Sequence, residues 1–221
     1  MSQSPTMIAS ALHLSRHDIK ELKLNQLETF DYQLHKVVYQ LFDDIRSEEQ
    51  KKQGISSGFL YADKGGGFNG RQILMLSNRQ PNLPEYGEIS SKKIAPNFLG
   101  YQHYRFEVVV NPVKCGAIRF NDQGKKKKGK IIPLKNREEI AQWFIDKSIN
   151  NWGFETSSEH LDVQDIGVKK FRKGSNEVVQ AQAKLEGRLK VTDKEKFINS
   201  FQLGIGRGKA FGCGLLQIVP L

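Results

Sequence analysis

The chain has 221 residues, of which 38% are hydrophobic, and this fits one large domain or two small ones with a buried core. No stretch is long and apolar enough to span a membrane, and no basic segment precedes an apolar run, so we expect neither a membrane protein nor a secretion signal. The two cysteines, Cys115 and Cys213, lie far apart, which predicts reduced thiols in a cytoplasmic protein with no disulfide, no metal site and no cofactor.

The net charge of +10 is concentrated in the second half of the chain. Residues 1–110 hold 13 Lys and Arg against 12 Asp and Glu, whereas residues 111–221 hold 21 against 12. A basic half beside a neutral half favours a polyanionic partner, with nucleic acid first. A well-solvated basic surface would explain the same charge, so charge alone does not decide between these two interpretations.

The first half of the chain predicts one helix among several strands. The helix has apolar residues at helical spacing, including Phe30, Leu34 and Leu41, and it places Tyr32 and His35 one turn apart as surface neighbours. The predicted elements are a strand at 7–14, a polar connection at 18–25, a helix at 27–43, strands at 59–63 and 72–77 joined by a glycine-rich turn at 64–70, and a strand at 101–110.

The second half repeats this order of elements. Its elements are a lysine-rich turn at 124–130, a short strand at 130–134, a helix at 137–150, strands at 162–171 and 178–191 separated by a basic turn at 169–176, a helix at 193–203 and a last strand at 215–221. The repeated order is compatible with the ferredoxin-like pattern in each half.

A glycine-rich stretch at 204–214 stands between the last helix and the last strand. Five of its eleven residues are glycine, and Arg207 and Lys209 add two cations; backbone N–H groups with cations suit a phosphate. A nucleotide-binding loop follows a strand and opens a helix, whereas the order here is helix, loop, strand. The stretch also lacks the Ser or Thr that a P-loop places on magnesium. We therefore exclude nucleoside triphosphate binding and prefer an RNA backbone. The glycines concerned are Gly204, Gly206, Gly208, Gly212 and Gly214.

Several separated motifs resemble one family. The segment 204–221 resembles the glycine-rich signature of the CRISPR repeat-processing endoribonucleases, and is most similar to the CasE-type subunit of the type I-E Cascade complex. Asn-Pro-Val-Lys at 111–114, Ile-Pro-Leu at 132–134, Leu-Glu-Gly-Arg-Leu at 185–189 and Tyr-Gln-Leu-His at 32–35 resemble that family in order and spacing.

The resemblance implies an α+β fold of two tandem ferredoxin-like (RRM-like) β-α-β-β-α-β domains, here at 1–98 and 99–221. It also implies a metal-independent enzyme that cuts CRISPR repeat RNA at the base of its stem-loop. The enzyme would stay on the product hairpin beside other Cascade subunits and meet target DNA only indirectly, through the complex.

Site residues follow from the same resemblance. His35 takes the place of the catalytic histidine and Tyr32 that of its partner, whereas alone the two would suggest an ordinary helix surface. One departure is that residues 106–110, directly before 111–114, read Phe-Glu-Val-Val-Val where the family usually has arginines, so a cation from that segment is not expected. The residues that we expect to bind RNA are Lys169, Lys170, Arg172 and Lys173 of the basic turn, Arg207 and Lys209 of the glycine stretch, and Lys36, Lys126 and Lys127.

Metal-independent RNA cleavage requires the 2′-hydroxyl to attack the adjacent phosphorus, with a base, an acid and a cation in support. Histidine suits both proton transfers because its unperturbed pKa is near the operating pH, and a cation stabilises the charge that develops on phosphorus. Whether His35 is the base, the acid or both stays open. The rival hypotheses are a non-catalytic subunit that binds the RNA hairpin and a general binder of single-stranded nucleic acid.

Overall fold

The computed structural model describes residues 6–24, 30–68, 70–116, 119–120, 126–127, 129–173 and 176–221. Residues 124, 125 and 128 of the lysine-rich turn predicted at 124–130 fall outside these ranges. Four residues predicted to bind RNA lie on strands whose backbone is described while their side chains are not: Arg172, Lys173, Lys126 and Lys127.

The first half of the chain forms a four-stranded antiparallel sheet with three short helices. Its elements are β1 Ile8–Leu14, α1 Arg16–Glu21, α2 Phe30–Gln40, α3 Glu48–Lys52, β2 Phe59–Gly67, β3 Gly70–Ser77 and β4 Glu88–Lys93. The strand order is β2-β3-β1-β4, and every neighbouring pair is antiparallel. This is the order of a ferredoxin-like sheet, in which β1 lies between the third and fourth strands.

Three features of this half differ from the sequence prediction. The polar connection expected at 18–25 begins with α1, which Ser15 caps through a reciprocal pair of hydrogen bonds with Asp18. The helix α3 and the strand β4 were not predicted, because their short polar sequences carry no hydrophobic period. A loop at 78–87 stands where a ferredoxin-like unit has its second helix.

The second half contains a five-stranded sheet, two small ribbons and two helices. Its elements are β5 His103–Val110, β6 Val113–Cys115, β7 Arg119–Phe120, β8 Lys126–Lys127, β9 Ile131–Pro133, α4 Arg137–Lys147, β10 Phe154–Glu155, β11 Leu161–Lys173, β12 Asn176–Val191, α5 Lys194–Leu203 and β13 Gln217–Pro220. The order is β10-β12-β5-β13, and β11 also pairs with β12. With β11 as the second strand, this repeats the order of the first sheet and confirms a tandem ferredoxin-like fold.

The two sheets share one hydrophobic core. Leu60 and Leu76 of the first sheet belong to the same buried cluster as Phe106 of the second sheet and Phe144 of α4. The predicted boundary at 98 falls between β4 and β5. A smaller cluster packs α2 against the other face of the first sheet through Leu34 and other residues. The apolar residues of α2 pack on that face of the sheet, whereas its polar residues Asp31 and His35 contact the second half of the chain. Within the described ranges, no helix is long and apolar enough to cross a membrane.

Candidate active site

His35 is fixed by the glycine-rich stretch, 175 residues further along the chain. Its Nδ1 lies 2.7 Å from the carbonyl oxygen of Ala210, and because a carbonyl can only accept, Nδ1 carries the proton. The hydroxyl of Tyr61 on β2 donates to the same oxygen at 3.0 Å. One backbone carbonyl therefore sets both the tautomer and the orientation of the ring, leaving Nε2 as the nitrogen whose protonation can change.

Aromatic rings surround His35. The ring of Tyr39 lies 4.0 Å from the imidazole by centroid distance, that of Phe211 lies 5.2 Å away, and that of Tyr32 lies 6.1 Å away and nearly parallel. Phe211 in turn contacts Phe171 of β11 at 4.6 Å. Burial raises the pKa of Tyr39, so its phenol stays neutral at physiological pH and adds no charge beside the imidazole.

The glycines of the stretch 204–214 shape this contact. All five have positive φ, a conformation that side chains oppose. At Gly208 an added Cβ would lie 2.5 Å from the amide nitrogen of Gln180, and at Gly212 it would lie 3.3 Å from the ring of Tyr61. The loop thus curls tightly against its own protein, and the turn Lys209–Phe211 presents the Ala210 carbonyl to His35. Gly208 and Gly212 therefore serve packing within the protein, and contact between the stretch and RNA stays a prediction.

Lys169 of the basic turn contacts α2. Its ammonium is 2.6 Å from Asp31, the residue that precedes Tyr32, and the Asp31 side chain is only 13% exposed. Lys36, on the same helix, places its ammonium 4.6 Å from the ring centroid of Tyr32. Two cations therefore stand beside the pair of residues predicted to be catalytic.

Among the predicted RNA-binding cations that remain, the structure describes the side chains of Lys170, Arg207 and Lys209. Lys170 and Arg207 are exposed, and the guanidinium of Arg207 reaches Cys115 Sγ at 3.9 Å. Lys209 is half-buried, and this burial lowers the pKa of its ammonium. Whether these cations bind RNA stays a prediction, as it does for the four residues whose backbone alone is described.

Sequence reasoning missed the groups that orient His35. Ala210 acts through a backbone carbonyl, which leaves no signal in a side-chain pattern, and Tyr61 resembles an ordinary strand residue. Asp31 was hidden for a different reason, since its partner Lys169 lies 138 residues away. Among the described residues no three His, Cys, Asp or Glu side chains cluster as a metal site would require. Metal independence stays a prediction.

A family model described as "CRISPR associated protein" matches residues 10–220. The chain belongs to this family. The resemblance that the separated motifs suggested is thereby confirmed, and it covers nearly the whole chain.

Two curated relatives and several solved structures are similar to the chain. It is 32% identical to the CRISPR-associated endoribonuclease Cse3 of Thermus thermophilus over 129 residues, which is 54% of this chain and 56% of the relative. It is 26% identical to the CRISPR system Cascade subunit CasE of Escherichia coli over 198 residues, covering 86% of this chain and 92% of the relative.

The structural likenesses extend over the whole fold. Thermus thermophilus Cse3 bound to an RNA representing a pre-cleavage complex has a TM-score of 0.73 at 21% identity, with 97% of this chain and all of that chain covered. The Cas6e protein of Escherichia coli has a TM-score of 0.68 at 21% identity, again covering 97% and 100%. These likenesses support the tandem fold.

Proposed function

We propose that this protein is an endoribonuclease that cuts CRISPR precursor RNA at the base of the repeat stem-loop and stays bound to the hairpin within a Cascade-type complex. The observation that carries the proposal is the fixed imidazole of His35, held by the Ala210 carbonyl at the junction of α2, β11 and the glycine stretch. The family and the names of the relatives, an endoribonuclease and a Cascade subunit, agree with this proposal. A cytoplasmic location belongs to the same proposal.

The proposed chemistry is attack of the 2′-hydroxyl on the adjacent phosphorus. The attacking oxygen loses its proton, the P–O5′ bond breaks, and the leaving oxygen gains a proton, which leaves a 2′,3′-cyclic phosphate and a 5′-hydroxyl. Because Nδ1 of His35 donates to Ala210, the proton in transit is exchanged at Nε2. A fixed imidazole avoids the reorientation that a mobile side chain would need before each transfer.

Tyr32 and Lys169 supply the supporting roles. Tyr32 is stacked one turn from His35 and can donate its hydroxyl to a phosphate oxygen. The Lys169 ammonium, held at the start of the same helix by Asp31, is the cation best placed to stabilise the negative charge that develops on phosphorus. No metal ion enters this scheme.

The proposal is tested with repeat RNA in the presence of EDTA. The wild-type protein is expected to cut the RNA once and to leave a 2′,3′-cyclic phosphate, which acid treatment opens to a mixture of monophosphates. The His35→Ala variant should bind the hairpin as tightly as the wild type and fail to cut it. Cleavage that requires magnesium would refute the mechanism. Tight binding without cleavage by the wild type would instead identify a non-catalytic hairpin-binding subunit.

A further inference from the structure

The outer face of the second sheet carries an acidic pair and a basic pair of facing residues, and among the described residues only the acidic pair has partners of opposite charge. Side chains alternate across a strand, so Glu107 and Arg105 of β5 lie on the face opposite the buried Tyr104 and Phe106. On β12, Glu186 stands directly opposite Glu107, and Arg188 stands directly opposite Arg105. Like charges directly opposite one another destabilise a sheet unless something neutralises them.

The protein neutralises the acidic pair itself. Lys184 contacts Glu186 at 2.7 Å and Glu107 at 3.3 Å, and Lys64 of the first sheet also forms an ion pair with Glu107. One lysine comes from the neighbouring position on the same face, and the other reaches across from β2. Both carboxylates of the pair therefore have cationic partners within the chain.

The basic pair has no such partner. Arg105 and Arg188 are both exposed, and over the described ranges neither guanidinium has a carboxylate within 4.0 Å or a hydrogen bond. The neighbour of Arg105 on the other side is Val219 of β13, which adds no charge. Next along the face, Lys190 stands opposite His103 and pairs with Glu155 at 3.0 Å. The face therefore keeps two unmatched positive charges.

A cavity opens beside this pair. β10 pairs with β12 only at residues 190–191 and β11 only up to residue 187, so the edge of β12 is open at Arg188 and Leu189. The cavity there has a volume of about 700 Å³, and its polar lining includes Arg188, Lys190, His103 and His160, together with the Thr156 and Ser157 hydroxyls and the Glu155 carboxylate. The hydroxyl of Thr156 donates a hydrogen bond to the carbonyl of Arg188, and the hydroxyl of Ser157 is hydrogen-bonded to Nδ1 of His160.

We propose that Arg105 and Arg188, with the adjoining cavity, form a second phosphate-binding surface that holds a single-stranded stretch of the same RNA. This inference rests on the proposed function. Paired guanidinium groups on facing residues suit the two non-bridging oxygens of a phosphodiester. The outer positions of β5 are His103, Arg105, Glu107 and Val109, none of which is a large aromatic for base stacking, so the surface binds backbone without reading sequence.

The surface is distinct from the candidate active site. Gln180, which packs beneath the glycine stretch, and Arg188 are eight residues apart on β12, which corresponds to about 26 Å along the strand. A bare hairpin seated at His35 would leave this surface empty. Only RNA with a single-stranded flank long enough to cover that distance could occupy both.

The test compares two RNAs, the minimal repeat hairpin and the same hairpin with a long single-stranded flank, and two variants that each remove two positive charges. Arg105→Gln/Arg188→Gln removes the pair, and Lys20→Gln/Lys52→Gln is the charge-matched control on exposed sites of the first half. The wild-type protein should bind the flanked RNA more tightly than the minimal hairpin. The arginine variant should lose that gain, about tenfold or more in Kd, while its binding and cleavage of the hairpin are unchanged. The slope of log Kd against log salt for the flanked RNA should fall by about 0.7 for each phosphate that the arginine variant no longer neutralises.

Several results would overturn the proposal. The first is that the single-stranded flank adds no affinity for the wild-type protein. The second is that the arginine variant and the lysine control lose the same affinity for the flanked RNA. The third is that the two arginines bind an acidic peptide while the flank adds no affinity. The last would make the surface a protein-docking site. Failure of the proposed function looks different, because neither RNA would then be cut. Since the free arginine pair is repulsive, the arginine variant should also melt at the same or a higher temperature than the wild type, which shows that it is folded.

Discussion

Tyr61→Phe tests whether the Ala210 carbonyl sets the activity of His35. The substitution removes one hydroxyl and keeps the buried ring, so the 3.0 Å hydrogen bond to Ala210 is removed while His35 still donates to the same oxygen. A hydrogen bond of this kind contributes about 1 kcal/mol to stability, which lowers Tm by about 2–4 °C in a protein of this size. The larger effect is expected on catalysis, since a reacting group displaced by about 1 Å can lose about 10²-fold in rate.

The assay is single-turnover cleavage of repeat RNA at saturating protein, with hairpin affinity measured separately. We expect the single-turnover rate constant of cleavage to fall about tenfold or more with an unchanged Kd for the hairpin. Tyr39→Phe is the matched control, because its ring also contacts His35 whereas the hydroxyl that bonds the Ala210 carbonyl is that of Tyr61. The ¹⁵N chemical shifts of His35 report its tautomer directly. Full activity in Tyr61→Phe, or the same loss in both variants, would refute the reasoning.

Three further predictions concern other parts of the site. Gly212→Ala places a Cβ on a backbone at φ +78° and against the ring of Tyr61, so it should lower the free energy of unfolding in urea by about 1–2 kcal/mol and reduce cleavage. Gly206→Ala is the control, because no atom lies within 4 Å of its added Cβ and the contact with Tyr61 stays intact. Lys169→Met should slow cleavage about 10²-fold with little change in hairpin affinity; a large loss of affinity with normal kcat would assign this lysine to binding only. Burial raises the pKa of Cys213 to about 12, so at about pH 8 the folded protein should react with a thiol reagent at Cys115 alone and at both cysteines after unfolding; two reactive thiols in the folded protein would contradict this burial.

Much of the fold was predictable because it follows periodic patterns. The helix predicted at 137–150 and the strands predicted at 101–110 and 178–191 have apolar residues at the spacing of a helix and of strands, respectively. The structure has α4, β5 and β12 at these positions. The helix predicted at 193–203 also forms, with Asp193 as its N-cap accepting from the backbone N–H of Lys196. These elements bury enough apolar surface to be recognisable from sequence alone.

The parts that escaped prediction depend on partners distant in sequence. The strand β4 has an exposed polar sequence and is a strand only because β1 offers it an open edge, with Ser91 facing Ser10. The glycine stretch also holds His35 through the Ala210 carbonyl, a role that its glycine pattern does not indicate, and its contact with RNA stays a prediction. The family resemblance pointed to His35 and Tyr32 from local spacing, but the carbonyl that fixes the imidazole could be found only in three dimensions.

The hydrogen bond between His35 and Ala210 joins residues 175 positions apart, and this separation has a consequence in time. At a synthesis rate of about 5–20 residues per second, the partner of His35 is made about 10–35 seconds after the histidine itself. A nascent chain carrying α2 alone has His35 and Tyr32 but neither Lys169 nor the carbonyl that aligns the histidine. Such a chain should leave RNA uncut until the second sheet closes on the first, so cleavage reports on completed folding of the whole protein.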